Sequence, residues 1–290
     1  MTTSTEIATY LGTSIELDVA IEGVSTADQP RPHTLAFVVK WTPERQLAVT
    51  QAATTLFLLP LDAPAELPNG IRVSSPRLDF ARVGVEFFSD KPAPGIHPTA
   101  VVSPSATISA SAHIGPYAVI EDRVQVGDGS VIGPHVTLER GVRVGRNSAI
   151  GSHTCVGSAG FGFEREADGT AYRLAHLGSV VIGDDVEIGA HVTISRGTIE
   201  DTVIGNGAKI DNHVFIAHNA RIDDDVFLIA GALICGSAHI QARSWVAPGA
   251  VVKNKVTVGA DATVGLGAVV VRDVPDGVTV AGVPAKPLGS

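Results

Sequence analysis

The chain has 290 residues and a formal net charge of −9, a size that suits one large domain or two modest ones. The acidic balance argues against a general nucleic-acid-binding protein, which needs a basic surface to engage phosphates. Its two cysteines, Cys155 and Cys235, lack metal-ligand spacing, which predicts free thiols in a reducing cytoplasm and no metal site. Without a signal-peptide pattern or a run of 18 apolar residues, the sequence predicts a cytoplasmic protein that does not span a membrane.

The first 90 residues predict a small α/β domain. Thr42 followed by Pro43 is the pattern of a helix N-cap with proline in the first turn. Two further helices are expected over 4–11 and 77–88, and strand-like apolar runs lie at 15–24, 34–39, 55–60 and 70–74. Residues 91–95, KPAPG, are rich in proline and glycine and predict a linker out of this domain.

An aliphatic residue recurs at every sixth position through most of the remaining chain. The run has 26 members and no polar exception, and it comprises Ile96, Val102, Ile108, Ile114, Ile120, Val126, Ile132, Leu138, Val144, Ile150, Val156, Ile182, Ile188, Ile194, Ile204, Ile210, Ile216, Ile222, Leu228, Ile234, Ile240, Val246, Val252, Val258, Val264 and Val270. A helix would show spacings of three and four, and an ordinary strand a spacing of two. A period of six is the signature of hexapeptide repeats in a parallel β-helix.

In such a rod each hexad is a short strand and a corner, and the sixth-position side chain points into a narrow interior. Small residues after it let the chain turn tightly, and neighbouring coils lie about 4.8 Å apart, at the usual strand spacing. We therefore predict a mainly β fold, with a parallel β-helix over residues 96–274 and a tail over residues 275–290.

Two segments leave the period. Residues 157–180 form a long insertion, and residues 195–203 add four residues to the repeat. A loop that leaves a regular solenoid lies on one face and often builds the binding surface, although either segment can also be a tolerated surface bulge. Within the longer insertion, Phe161, Phe163 and His176 are candidates for contact with substrate or with an acyl chain.

Three chemically distinctive residues fall on one edge of the predicted rod. His218 lies at a corner, Gly236 lies one coil later, and Lys255 lies two coils from His218 at nearly the same corner. A neutral imidazole is suited to accept a proton near pH 7, and a glycine N–H can closely approach a developing oxyanion. His218 and Gly236 are therefore candidates for the general base and the oxyanion donor of acyl transfer to an amine, unless His218 merely occupies an exposed corner.

Several segments together resemble one known family. The stretch IGDDVEIGAHVTISRGTIEDTVIGNGAKIDNHVFIAHNARI, the loop GSAGFGFE and the first domain are similar to the UDP-3-O-(3-hydroxyacyl)glucosamine N-acyltransferases of lipid A synthesis. The resemblance covers nearly the whole chain. It implies a left-handed β-helix, a homotrimer with active sites in the grooves between neighbouring rods, and a uridine-binding module over residues 1–90.

The same resemblance implies roles for individual residues. The family's catalytic base falls on His218, its oxyanion glycine falls on Gly236, and an acidic residue that orients the histidine or the substrate amine falls on Asp211. Asn219, in the same IAHN segment as the base, is a candidate for substrate binding. The resemblance also implies a direct transfer from a thioester co-substrate, with no bound cofactor and no covalent enzyme intermediate.

The sequence departs from the family at several positions. Lys255 stands where the family has a second active-site histidine, and lysine can bind phosphate but replaces neutral imidazole poorly. In the nucleotide module Phe37 is kept, whereas Lys40 and Pro43 stand at the family's uracil-contacting positions. Trp41 offers a stacking ring or else belongs to the domain core. The ending DVPDGVTVAGVPAKPLGS resembles the tail of coenzyme A-dependent hexapeptide acetyltransferases rather than the family's helical extension.

We therefore predict an N-acyltransferase that acts on the amine of a nucleotide-linked amino sugar. Its donor is a 3-hydroxyacyl carrier protein or, in the alternative that the tail favours, a short acyl-coenzyme A. A γ-class carbonic anhydrase is a less favoured alternative, because His213 and His218 reproduce the His-x4-His pair of that class, and His191 or His176 would have to serve as the third zinc ligand. A further alternative is a non-catalytic rod that only displays the first domain.

Overall fold

The computed structural model describes residues 2–90 and 92–288. The chain divides into two compact units, Met1–Lys91 and Pro92–Ser290. The first unit is a small α/β domain, and the second is a rod of short parallel strands. Every helix in the described part of the chain is too short or too polar to cross a bilayer.

The first unit is built on a four-stranded parallel sheet, whose strands are Gly23–Val24, Thr34–Phe37, Leu56–Leu59 and Gly70–Arg72. A two-stranded antiparallel sheet joins Thr2–Thr3 to Ala20–Ile21. The helices are Ser4–Tyr10, Pro43–Gln51 and Pro76–Val83, and the last continues into a π-helix at Gly84–Phe88.

The helices and strands predicted for this unit agree with the observed ones at most positions. The Thr42 side chain accepts a hydrogen bond from the Arg45 N–H at 3.4 Å, so Thr42 is the N-cap that its sequence predicts. The strand expected over 15–24 is shorter, because only its last residues pair with neighbouring strands.

The second unit is a three-sided rod, because successive strands turn onto three separate parallel sheets. The first face consists of Gly95–Ile96, His113–Ile114, Val131–Ile132, Ala149–Ile150, Glu187–Ile188, Lys209–Ile210, Phe227–Leu228, Trp245–Val246, Thr263–Val264 and Thr279–Ala281, with Lys286–Pro287 antiparallel at its end. The second face consists of Val101–Val102, Val119–Ile120, Thr137–Leu138, Cys155–Ser158, Thr193–Ser195, Phe215–Ile216, Leu233–Ile234, Val251–Val252 and Val269–Val270. The third face consists of Thr107–Ile108, Gln125–Val126, Arg143–Val144, Val180–Ile182, Thr202–Ile204, Arg221–Ile222, His239–Ile240 and Thr257–Val258.

The sixth-position aliphatic side chains stack inside this rod and form its core. Ile216, Leu228 and Ile234 are each 0% exposed, and they belong to one continuous apolar cluster. The prediction of a hexapeptide-repeat parallel β-helix is therefore confirmed. Parallel pairing runs from Gly95 to Thr279–Ala281, so the rod extends beyond its predicted end at residue 274.

Each coil has three tight corners, and two of the three edges of the rod matter below. Residues 211–213 lead from the first face to the second along the edge that we call the His213 edge, and residues 217–219 lead from the second face to the third along the His218 edge. His213 and Asn219 both have a φ of 60°, the left-handed conformation that these corners require. Rings stack along the His213 edge at centroid separations of 4.7 to 5.1 Å, through Tyr117, His135, His153, His191 and His213.

The insertion over 157–180 leaves the rod between the second and third faces and carries a small hairpin, Phe163–Arg165 against Ala171–Arg173. Its base is held by Arg196, which is only 6% exposed. The Arg196 guanidinium donates hydrogen bonds to the carbonyl oxygens of Gly157 and Arg140 and lies 3.6 Å from the Glu139 carboxylate. Burial raises the pKa of that carboxyl group, and the Arg196 charge opposes this rise.

Candidate active site

His218 packs closely against Gly236, which lies on the next coil. The Ser237 N–H donates to the His218 carbonyl oxygen at 2.9 Å, which fixes the two corners one above the other. A Cβ atom on Gly236 would come within 2.8 Å of His218 Cε1 and 2.9 Å of His218 Nε2. Only glycine therefore lets the imidazole occupy this position without displacement.

The backbone N–H of Gly236 makes no hydrogen bond within residues 2–90 and 92–288. The flanking Cys235 and Ser237 N–H groups both bond to neighbouring coils. Gly236 is also partly exposed. An unpaired, accessible N–H beside an imidazole is what an oxyanion needs, so the geometry suits the predicted role of Gly236.

Asn219 determines which nitrogen of His218 carries the proton. Its Oδ1 accepts hydrogen bonds from the Thr198 N–H at 3.1 Å and the Thr198 hydroxyl at 2.8 Å, and it lies 3.1 Å from His218 Nδ1. Because a backbone N–H can only donate, this atom is the amide oxygen, and His218 Nδ1 must donate to it. The lone pair of the neutral ring is then on Nε2, the nitrogen beside Gly236.

Asn219 therefore has a structural role, which is distinct from its predicted role in substrate binding. Its Oδ1 orients the base, and its own N–H donates to the Thr202 hydroxyl at 2.9 Å. The binding of substrate by Asn219 stays a prediction.

His176 is buried beside His218 although it belongs to the insertion. It is 8% exposed, and the two ring centroids lie 5.1 Å apart at an interplanar angle of 68°. His176 Nδ1 lies 3.1 Å from the Leu174 carbonyl oxygen, to which it must donate, while Nε2 is buried without a partner in the described structure. Burial, and next the neighbouring His218, lower the pKa of His176, so this ring stays neutral.

The aromatic pair of the insertion lies further out. Phe161 is 90% exposed and contacts Phe163 edge-on, with ring centroids 4.9 Å apart. The Arg173 guanidinium lies 5.4 Å from the centre of the Phe163 ring. Gly160, the residue before Phe161, packs against both His176 and His218, so the apolar pair begins next to the base. Contact of the two phenyl rings with substrate stays a prediction.

Two other predicted site residues lie apart from His218 within one chain. Asp211 belongs to the His213 edge, where its carboxylate accepts from the N–H groups of Asn212 at 2.7 Å and Ala230 at 3.2 Å. Lys255 is on the His218 edge and exposed, and its N–H donates to the Gly236 carbonyl oxygen at 3.1 Å. One chain therefore brings together His218, Gly236, Asn219 and His176, with Lys255 one coil beyond Gly236.

The histidine pair that suggested zinc is also divided between edges. His213 stacks on His191 along the His213 edge at 5.1 Å, whereas His218 lies on the His218 edge. Across the described ranges, no group of three or more His, Cys, Asp or Glu side chains is arranged to hold a metal ion.

The first unit contains a cavity of about 1000 Å³ that is lined by three cationic side chains and by the carboxylate of Asp28, which pairs with Arg45. Two predicted nucleotide-binding residues, Phe37 and Lys40, line it, and Phe37 packs on Phe80 at 4.7 Å between ring centroids. Arg31 and Arg45 also line it, although neither stood out in the sequence. Trp41 is not in its wall and packs instead against the apolar core of this unit.

Comparison with known proteins places the chain in a family. Residues 105–140 match the bacterial transferase hexapeptide (six repeats) model. The chain is 39% identical over 254 residues to UDP-3-O-acylglucosamine N-acyltransferase of Coxiella burnetii (strain RSA 493 / Nine Mile phase I), a match that covers 80% of this chain and 74% of that protein. It is 38% identical to the protein of the same name in Pseudomonas syringae pv. syringae, over 80% of this chain and 71% of the relative. The chain belongs to the UDP-3-O-acylglucosamine N-acyltransferase family.

Two solved acyltransferase structures are similar to this chain in fold. The UDP-N-acetylglucosamine O-acyltransferase of Moraxella catarrhalis matches with a TM-score of 0.62 and 30% identity, over 67% of this chain and 74% of that one. The UDP-N-acetylglucosamine acyltransferase of Francisella novicida gives a TM-score of 0.62 and 30% identity, over 67% of this chain and 70% of that one. The resemblance read from the sequence is thereby confirmed, and this member of the N-acyltransferase family is an acyltransferase of the hexapeptide class.

Two contacts in the site of this family member could not be inferred from the sequence. The orienting contact from Thr198 through Asn219 to His218 depends on the bulge over 195–203, which has no repeat to place it. The contact between His176 and His218 joins residues 42 positions apart through a non-periodic loop. The only signal in the sequence was that both segments leave the period.

Proposed function

We propose that this chain moves an acyl group from a thioester to the amine of a nucleotide-linked amino sugar. The observation that carries the proposal is the His218–Gly236 pair, in which an imidazole with its lone pair on Nε2 lies against a glycine with a free N–H. The names of the two relatives, at 38% and 39% identity, describe N-acylation of a UDP-linked 3-O-acylglucosamine, and they support the same class of acceptor here.

The reaction needs one proton acceptor and one oxyanion donor. The sugar amine attacks the thioester carbonyl carbon, His218 Nε2 accepts the proton that the nitrogen loses, and the Gly236 N–H donates to the oxyanion. The tetrahedral intermediate then expels the thiolate, which takes the proton from His218 and leaves as the free thiol. The products are an amide and a thiol, and His218 returns to its neutral form.

Neither cysteine is a suitable nucleophile for a covalent acyl-enzyme. Burial raises the pKa of both cysteine thiols, Cys155 and Cys235, and so disfavours the thiolate that would attack. Direct transfer is therefore the proposed route, with the thioester as co-substrate and no bound cofactor.

The nucleotide is assigned to the module over residues 1–90, joined by the linker 91–95 to the catalytic rod, whose parallel strands continue past the predicted end at residue 274 to Thr279–Ala281. The cavity lined by Phe37 and Lys40 supports this assignment, because a phenyl ring can pack on a base and cations can meet a diphosphate. Arg31 is held there by a hydrogen bond to the Val24 carbonyl oxygen at 2.6 Å. The proposed role of Trp41 is reduced to support of this unit's core.

A homotrimer is proposed because the three faces of the rod differ in character. The second face exposes Phe215 and Leu233, and the first face exposes the stacked rings of Phe227 and Trp245, 5.1 Å apart. The third face carries several ion pairs, of Arg143 with Asp201 at 2.6 Å and of Arg221 and His239 with Asp223 at 2.9 and 2.8 Å. The first face carries one as well, between Lys209 and Glu187 at 2.9 Å, but its Phe227 and Trp245 rings remain exposed. Burial of the two apolar faces between copies stabilises an assembly, while the charged face remains in solvent.

In this trimer Asp211 would act on the site of a neighbouring copy. Asp211 and His218 lie on different edges of one rod, so an Asp211 that helps orient the amine must come from the adjacent rod. Lys255, Phe161 and Phe163 remain proposed contacts for the donor or the acyl chain. The cytoplasmic location is likewise a proposal.

Two thioesters are candidates for the acyl donor. Membership in the N-acyltransferase family favours a 3-hydroxyacyl carrier protein, and the C-terminal sequence favours a short acyl-coenzyme A as the alternative. Thiol release should be measured for each donor with a panel of nucleotide-linked amino sugars. We expect turnover with at least one donor, and a loss of about 100-fold or more in His218→Ala, the usual scale for removal of a general base.

His97→Ala is the matched control, because it removes an exposed imidazole that lies five coils before His218 on the same rod. Wild-type rates in His97→Ala together with the loss in His218→Ala support the mechanism. Normal turnover in His218→Ala would contradict it.

A further inference from the structure

We propose that His176 is a positioning residue for His218, and that its unpaired ring nitrogen stabilises the imidazolium that forms on His218 during transfer. The inference rests on the acyl transfer proposed above, because it concerns the same base. The sequence assigned His176 to contact with substrate or acyl chain or, in the zinc alternative, to the third metal ligand. The structure assigns it to the base itself.

The geometry places two imidazole rings around one glycine. A Cβ atom on Gly160 would come within 2.5 Å of His176 Nε2 and within 2.9 Å of His218 Cδ2. The Nε2 edge of His176 and the Cδ2 side of His218 therefore face the same small space, and Cδ2 is bonded to the Nε2 atom that takes the proton. The insertion thus returns to the rod at Gly160 and His176 and closes on the base.

The unpaired nitrogen of His176 calls for an explanation. Its Nδ1 donates to the Leu174 carbonyl oxygen at 3.1 Å, so the lone pair is on Nε2, which is buried without a donor in the described structure. Buried polar atoms without a partner are uncommon because they lose their hydrogen bonds to water. A phenyl ring would fill the same space without that cost, so packing alone does not account for an imidazole here.

Charge supplies the explanation. Burial, then the charges of His218, Arg173 and Arg196, lower the pKa of His176, and the Leu174 hydrogen bond opposes them only in part. His176 stays neutral for that reason, and its lone pair is the negative end of the ring dipole. In the described structure the His218 ring is hydrogen-bonded to the Asn219 amide oxygen, which carries no formal charge. The lone pair of His176 lies on the Cδ2 side of the same ring, at Gly160, and offsets the positive charge that develops on His218.

Three variants separate this role from simple packing. His176→Phe keeps a ring and removes both nitrogens. His176→Gln places an amide oxygen near the position of Nε2, and His176→Asn places an amide near the position of Nδ1. We expect kcat to fall about tenfold in His176→Phe, equivalent to about 1.4 kcal/mol in the barrier. Gln should recover most of the loss and Asn little of it, with KM for the sugar nearly unchanged.

A second readout does not depend on turnover. The protonation of His218 can be followed by NMR in the free protein with labelled histidine. Loss of the stabilising lone pair in His176→Phe should move the titration midpoint of His218 to lower pH, and His176→Gln should restore it. This measurement remains valid if no amino sugar turns over, so it separates failure of this inference from failure of the proposed function.

The outcomes that would overturn the inference are equally specific. One is an unchanged His218 midpoint in His176→Phe. Another is equal impairment of the Gln and Asn variants, which would indicate only a packing role. Thermal unfolding provides the folding check. His176→Phe removes a buried unpaired atom but also the hydrogen bond to the Leu174 carbonyl oxygen, so its melting temperature at neutral pH should lie close to that of the wild type. If it does not fold, the Gln and Asn pair still decides the question.

Discussion

Replacement of Gly236 by alanine tests the close contact on which the site depends. The new methyl carbon would lie 2.8 Å from His218 Cε1 and 2.9 Å from Nε2, well inside van der Waals contact, so the ring must move by several tenths of an ångström or more. Movement would stretch the 3.1 Å hydrogen bond from His218 Nδ1 to Asn219 and take Nε2 away from the amine. Because a misplacement of about 1 Å can cost roughly 100-fold, we expect kcat/KM to fall about 30- to 100-fold.

The same substitution has a thermodynamic signature. Overpacking of this kind costs about 1–3 kcal/mol in the free energy of unfolding. Gly236 is not in the left-handed region, so alanine brings no backbone strain of its own. In a His218→Ala background the ring is gone, and Gly236→Ala should then cost close to nothing. A double-mutant cycle by urea unfolding measures this coupling.

Two results would refute the reasoning for Gly236. The first is a kcat/KM within threefold of the wild type. The second is an equal loss of stability from Gly236→Ala with and without the His218 ring.

Three further predictions follow from the same contacts. Asn219→Ala should lower kcat about tenfold because His218 Nδ1 loses its acceptor, whereas Asn219→Asp keeps an acceptor and should lose less, as steady-state rates can check. Because burial lowers the folded-state pKa of His176, the unfolded chain binds a proton there at a higher pH than the folded chain. The free energy of unfolding should therefore fall as the pH drops below about 6.5, and the fall should be smaller in His176→Phe by denaturant titration at several pH values. Arg196→Met should cost about 3 kcal/mol in urea unfolding, since it strands two carbonyl oxygens and the partly buried Glu139, and the cost should be smaller if Glu139→Gln is added.

The rod could be predicted from the sequence because the same packing requirement recurs in every hexapeptide. One buried aliphatic side chain in every six residues is compatible with a narrow stacked core and with neither a helix nor an ordinary strand. The 18-residue coil then placed His218 one coil below Gly236, and the hydrogen bond from Ser237 to the His218 carbonyl oxygen agrees with that register.

The remainder of the site depends on segments with no period. The insertion over 157–180 folds back so that His176 meets His218, and nothing in its composition gives that direction. The bulge over 195–203 brings Thr198 to Asn219 for similarly local reasons. In the first unit, the sequence left Trp41 either as a stacking ring or as part of the domain core, and its partly buried side chain packs against that core.

The central claim is that His218 takes the proton from an amine as it becomes an amide. The most direct test is mass spectrometry of the sugar after incubation with each thioester donor, for the wild type and for His218→Ala at equal concentration. We predict a nucleotide-linked sugar heavier by one acyl group, stable to mild base as an amide is, and nearly absent with His218→Ala. An unmodified sugar with both donors, or equal product from the two proteins, would contradict the account.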